Sequence, residues 1–267
     1  MKKIILALML AACSLFSNTL VQIKEKGVIR IGIDGSSPPF SVAKDGEYSG
    51  FEILLIEGLV KEIFGDKGSK IQYVVTVGDD RIKAVQDNRV DLDIALISVT
   101  KEREKLVDFS DPYFSVNIGV LTRNDDNIRK VSDLNGKTIL AQPGTTVFDY
   151  FTKQGYNVVP CASANECFND LKSGKGDGYG DDNLLVFAYA VVDYKVEVNI
   201  KNLGSTDFLA IAVQKGNTEL LNAVNAGLIE LSKKGFFTKI FDESIEPFYK
   251  GTIDKKYFLL DDLYSLF

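Results

Sequence analysis

The chain has 267 residues, 45% of them hydrophobic, and a formal net charge of −6. That length holds one large domain or two ordinary ones around a real core, and the acidic balance argues against nucleic-acid binding. Histidine is absent, which removes Ser-His-Asp and Cys-His catalysis and the usual His-ligated zinc sites, and tryptophan is absent as well.

In chain order, "MKKIILALMLAAC" comes first. Lys2 and Lys3 precede an apolar run too short to span a membrane, the pattern of a secretory signal over residues 1–12. Leu10, Ala11 and Ala12 directly before Cys13 are similar to a bacterial lipobox, so Cys13 is expected to become an acylated first residue that holds the body at a membrane. The plain alternative is cleavage a few residues later with Cys13 discarded.

"VIRIGI" (28–33) reads as a strand, "FEILLIEGLVKEIFG" (51–65) as an amphipathic helix ended by Gly65, "IQYVVTV" (71–77) as a strand, "DDRIKAVQDN" (79–88) as a helix and "VDLDIALI" (90–97) as a strand. This βαβαβ order implies a mostly parallel sheet. The pattern then restarts. Strands are expected at 116–122, 137–142 and in "YNVVPC", and helices to about Lys153, over 165–172 and over 183–190. A strand at 208–214 and a long helix over 218–235 close the series. Cys161 and Cys167 flank a helix start in which Ser163 and Glu166 have capping-box spacing. They are either a small disulfide of the kind found outside the cytoplasm or two buried thiols.

Two α/β units with no Ser/Pro-rich linker imply two lobes sharing a cleft, and open α/β sheets bind ligands at strand C-terminal ends. Four polar turns lie at such ends. "GIDGSSPPF" offers Asp34, and "AQPGTTVFDY" offers the N–H groups of a helix start at Thr145 or Thr146, a ready anion site. "GDGYGDDNLL" offers Asp181 and Asp182. In "SVTKEREKLVDFSDPYF", Thr100 is a good N-cap, yet the third helical position holds Arg103 where a capping box wants Glu or Gln. A cation there faces the positive end of the helix dipole at a cost of about 0.3–1 kcal/mol. An anion site at Arg103 and Thr145–Thr146, with Asp182 as counter-charge, describes a receptor for a zwitterion, the carboxylate and ammonium of an amino acid.

Six segments in order, from about Lys26 to Phe248, carry a resemblance: "IRIGIDGSSPPF", "GFEILLIEGL", "RVDLDIALISVTKEREKLVDFSDPYF", "LNGKTILAQPGTT", "LKSGKGDGYGDDNLL" and "GFFTKIFDESI". The chain resembles the polar amino-acid solute-binding proteins of bacterial ABC transporters, family 3. The resemblance implies an α/β fold, a two-lobed type II periplasmic-binding-protein clam-shell with two crossing strands as hinge. Lobe one is expected over 20–118 plus 212–247, lobe two over 119–211, and a C-terminal extension over 248–267. It implies that Arg103 grips the ligand α-carboxylate with Ser98 and the Leu96 backbone beside it, that Thr146 adds an N–H from lobe two, and that Asp182 binds the α-ammonium. Asp34, Gln142 and Asp181 match positions that read the ligand side chain, and Arg81 matches an arginine of the branch that takes acidic and small polar amino acids. Ser37 and Leu96 depart from the family, where an aromatic and a small residue are common.

The expected ligand is glutamine, then glutamate, then cysteine. The expected protein is a monomer of the periplasm or cell envelope, without cofactor, metal or nucleic acid, that delivers its ligand to an ABC permease. The rivals are a dehydratase on the same fold and a surface adhesin. Phe258, Leu259, Leu263, Tyr264 and Phe267 of the tail share one expected helical face.

Overall fold

The computed structural model describes residues 18–65, 68–250, 253 and 259. The expected signal segment and Cys13 lie outside the described residues. So do Phe258, Leu263, Tyr264 and Phe267 of the tail.

The first element is a helix that the sequence reading passed over, α1 (Leu20–Lys26). Thr19 starts it with a capping box: its Oγ1 accepts from Gln22 N at 3.2 Å, and its N donates to Gln22 Oε1 at 2.9 Å. The chain continues through β1 (Val28–Ile33), a small antiparallel meander of β2 (Ser36–Ser37), β3 (Ser41–Lys44) and β4 (Glu47–Ser49), and α2 (Phe51–Phe64). β5 (Lys70–Val75), α3 (Asp80–Gln86), β6 (Leu92–Asp93) and β7 (Val107–Phe109) follow. The long strand β8 (Phe114–Arg123) leads into β9 (Thr138–Ala141), α4 (Thr146–Lys153), β10 (Asn157–Pro160), α5 (Ala164–Lys172), β11 (Gly178–Asp182) and α6 (Asn183–Val192). A second long strand, β12 (Val196–Leu209), returns to β13 (Ala212–Gln214), α7 (Thr218–Lys233), α8 (Phe236–Ser244) and α9 (Glu246–Tyr249).

Two five-stranded sheets result, in the orders β5-β1-β6-β13-β7 and β10-β9-β11-β8-β12. The expected parallel pairing holds for half of each sheet. β1 is parallel to β5 and β6, and β9 is parallel to β10 and β11, as helix crossovers require. The other half is antiparallel, because strands that arrive from the opposite lobe enter the sheet the other way round: β13 against β6 and β7, and β8 against β11 and β12. Each sheet is therefore mixed.

Both faces of each sheet are buried, and side chains alternate between two cores along a strand. On β8, Val120 packs with Ile139 and Phe151, while its neighbour Leu121 packs with Leu140 and Tyr179. Phe114, at the start of the same strand, sits in the core of the other lobe with Ile29, Ile31 and Leu55. β8 thus passes from one core into the other, paired throughout with β12. The first core is keyed by three rings: Phe40, Phe51 and Phe114 meet edge to face, with centroids 5.3–6.1 Å apart. In the tail, Ile253 and Leu259 pack on this core, and Leu259 forms an antiparallel bridge with Phe114.

Two strands differ from expectation. Only Leu92 and Asp93 of 90–97 are strand, and Leu96, three residues on, adopts φ 54. The apolar run 208–214 is divided between β12 and β13, where the chain changes sheets. Cys161 and Cys167 are joined, with Cα atoms 5.3 Å apart. The entry to β6 is held by Asp91, which accepts from the Arg30 backbone N at 2.8 Å and the Arg30 side chain at 2.6 and 3.2 Å. The Asp91 carboxylate is fully buried. Asp91→Ala strands these donors and is expected to lower unfolding stability by about 3 kcal/mol in urea denaturation.

Candidate functional site

Arg103 lies where "SVTKER" leaves the first sheet. The expected helix start is a short 3₁₀ turn, Arg103–Lys105, so the unfavourable dipole contact is limited to a single turn. Its N-cap is Glu102 and not the expected Thr100, although Thr100 Oγ1 accepts from Arg103 N at 3.2 Å. The side chain is largely buried, and desolvation, then the nearby Arg81 charge, lower its pKa to about 10. It donates to Ser98 O at 2.7 Å and to Gly144 O, in the other lobe, at 2.9 Å. Two of the five guanidinium donors are thereby used, and the rest make no hydrogen bond to a described residue.

The facing wall comes from the second sheet. After β9 the chain turns at Gly144 and starts α4. Thr145 is the N-cap; it accepts from Phe148 N at 3.1 Å and donates to Gln142 O at 2.8 Å. Thr146 is therefore the first helical residue, with a backbone N–H that the helix does not use. At the end of β11, Asp181 accepts from the Tyr179 hydroxyl and, at 2.8 Å, from Asp182 N. Burial raises the Asp181 pKa to about 6. Burial, then the Asp181 charge, raises Asp182 well above its ordinary value. Asp182 is the N-cap of α6 by position but makes no side-chain cap bond, so its carboxylate is left to the cleft.

Asp34 closes one end. Its Oδ1 accepts from Ser36 N, Ser36 Oγ and Ser37 Oγ at 2.7–2.9 Å, and among the described residues Oδ2 has no donor. Arg81 is buried, and four of its five guanidinium donors are engaged. Nε donates to Gly78 O at 2.9 Å, Nη1 to Ala95 O and Leu96 O at 2.9 Å, and Nη2 to Gly144 O at 3.1 Å. Leu96 holds a left-handed backbone that costs a leucine about 1 kcal/mol or more. It is fixed from behind, where Glu52 Oε1 accepts from Leu96 N at 2.9 Å and from the Tyr113 hydroxyl.

Asp34, Ser37, Arg81, Leu96, Ser98, Arg103, Gln142, Thr146, Asp181 and Asp182, all named from the sequence, line one cleft of about 480 Å³ including its mouth. Gly78, Thr145, Val147, Ala164 and Leu185 line it too. Gly78 was findable, since it follows β5 in a fifth βα turn. Leu185 was findable as well, three residues beyond Asp182 on the same helix face. Ala164 carries no sequence signal. Among the described residues no cluster of metal-ligating side chains occurs, and no helix is long and apolar enough to cross a membrane.

This cleft sits between two mixed sheets, with an arginine on one side and an acid with a helix N-terminus on the other. The model of the bacterial extracellular solute-binding proteins, family 3, matches residues 29–246. The chain belongs to this family. It is 36% identical to a solute receptor for L-cysteine of Neisseria gonorrhoeae, with a TM-score of 0.86 over 90% of this chain and 99% of that one. A cysteine-binding protein of Campylobacter jejuni is 34% identical, also at TM-score 0.86, over 91% and 98%. The ABC transporter glutamine-binding protein of Bacillus subtilis is 29% identical over 86% of this chain and 85% of its own length. All three relatives bind amino acids, the last of them as an ABC transporter component, and the chain shares its two-lobed α/β fold with the two solved structures.

The acids behind the cleft carry a pH signature. Burial raises Glu52 from 4.5 to about 8 and Asp93 from 3.8 to about 7. For a raised acid, the folded state holds a proton that the unfolded state has lost. Stability is therefore full below the unfolded pKa and falls as pH rises to the folded one, by up to about 1.4 kcal/mol per pH unit for each group. Glu52→Gln keeps an acceptor for Leu96 N and cannot ionise. Melting curves from about pH 5 to about pH 9 are expected to show a shallower decline for this variant than for the wild type.

Proposed function

We propose that the chain is the extracytoplasmic binding component of an ABC importer for a small, neutral, polar L-amino acid, L-cysteine first and L-glutamine second, anchored through Cys13. The reading is carried by the placement of Arg103 across one cleft from Asp182 and the α4 N-terminus. Arg103 and the Thr146 N–H suit the α-carboxylate, and the Asp182 carboxylate suits the α-ammonium. Residues 20–118 with 212–247 close on residues 119–211 about β8 and β12, and the permease reads the closed form. No bond of the ligand is made or broken.

The side-chain end supports a neutral ligand. A carboxylate there meets Asp34 and Asp181, and four of the five Arg81 donors that could offset them are on backbone carbonyls. This moves glutamate below the neutral candidates. The sequence alone favoured glutamine, and the glutamine-binding relative supports it. Cysteine moves ahead on the two cysteine receptors, which match at higher identity and over nearly their whole length.

Thermal-shift screening against the twenty amino acids is expected to raise the melting temperature with cysteine, under reductant, or with glutamine, in a concentration-dependent way. Arg103→Ala is expected to weaken that ligand by about a hundredfold or more in calorimetry, because the carboxylate loses its partner inside the cleft. An unchanged affinity would rule the reading out. Affinity is also expected to fall on acidification from about pH 8 to about pH 5. Asp181 and Asp182 have raised pKa values, and the ammonium must displace a proton to pair with the carboxylate. Screening for turnover of prephenate or arogenate separates the enzyme alternative.

A further inference from the structure

We propose that Arg81 is a closing residue: it shares the Gly144 carbonyl with Arg103 and forms a latch that couples capture of the ligand carboxylate to closing of the cleft. The proposal rests on the binding reading above.

Arg81 is tied to lobe one by three carbonyls, those of Gly78, Ala95 and Leu96, and to lobe two by that of Gly144. Arg103 is tied to lobe one by Ser98 O and reaches lobe two at the same Gly144 oxygen, 2.9 Å away. One carbonyl of the second lobe is thus held by two guanidinium groups of the first. The backbones touch around it. A Cβ on Gly144, which has φ +78, would lie 2.5 Å from Asp79 Oδ1 and 2.6 Å from Asp79 N, and a Cβ on Gly78 would lie 3.0 Å from Pro143 O. Only residues without side-chain bulk allow the two turns to meet this closely.

A carbonyl dipole satisfies the hydrogen bonds but not the charge. The two cations disfavour each other, and the Arg81 charge is the largest charge effect that lowers the Arg103 pKa. Asp149, Asp207 and Asp79 oppose this from neighbouring elements. A ligand carboxylate at Arg103 adds the negative charge beside the shared oxygen, so the closed contact and the bound anion stabilise each other. Arg81 then acts on closure for every ligand alike and does not read the ligand side chain.

The test measures equilibrium affinity and release rate for cysteine, glutamine and glutamate in the wild type, Arg81→Lys and Gly144→Ala, with small-angle scattering to follow closure. Both variants are expected to release ligand about tenfold faster or more, in line with loss of a charge-assisted hydrogen bond or of the turn contact. They are expected to keep the wild-type order of the three ligands and to close less completely at saturation. Gly144→Ala leaves the three lobe-one bonds of Arg81 in place, so it carries the test if Arg81→Lys melts early. A changed ligand order in Arg81→Lys makes Arg81 a side-chain reader and overturns the latch. Wild-type release in Gly144→Ala overturns it as well. A wild type that binds no amino acid removes the binding reading, and the latch falls with it; a wild type that binds while both variants match it removes the latch alone.

Discussion

A guanidinium taken out of water at the edge of the first sheet is the constraint on which the rest of the cleft depends. Desolvation is the main cause of the lowered Arg103 pKa, so the protein has surrounded that charge with acceptors at fixed positions. Ser98 O is supplied by the segment leaving the first sheet, and Gly144 O by the turn entering α4. Each is a backbone atom, positioned by strand ends and not by mobile side chains. A planar fork with donors still open is then presented to an anion in one orientation.

The same economy governs the floor of the cleft. Leu96 would leave its left-handed backbone if nothing held it. Its N–H is held by Glu52 on α2, and its carbonyl by Arg81 on α3. Glu52 is fixed in turn by Tyr113, just before β8. A chain of three hydrogen bonds therefore runs from the core helix, through a strained turn, to the arginine that meets the second lobe. Glu52 does not line the cleft itself, yet by holding Leu96 N it helps set the shape of the cleft wall from a dry interior.

Much of this was legible in the sequence because α/β periodicity and turn chemistry are local. Ser163 and Gly65 mark ends that the structure has, and ten residues, nine of them polar, were named that converge on one cleft. What the sequence hid is non-local. The Arg at the third position after Thr100 looked like a misplaced helix residue, and its partner lies 41 residues away. Arg81 looked available for a ligand, but four of its five donors are used by carbonyls 3 to 63 residues distant. The strand expected at 90–97 is shorter in the structure: apolar pattern signals burial and not extension, and the left-handed Leu96 has its N–H held by Glu52, 44 residues earlier. β12 was missed over most of its length because "NIKNLGSTDF" lacks alternation, and its pairing comes from β8.

That pairing has a mechanical meaning. β8 has 10 residues and β12 has 14, and the register between them shifts at three places, between Glu197 and Ile200, Ile200 and Leu203, and Leu203 and Asp207. A continuous ladder resists bending because every rung must deform together. A ladder with spare residues on one rail yields at its gaps, and each bulge adds local twist. The ribbon that joins the two cores is therefore built with slack on one side only. One of those gaps ends at Asp207, whose charge is felt by Arg103 and Asp182, so the slack in the ribbon lies electrostatically close to the cleft.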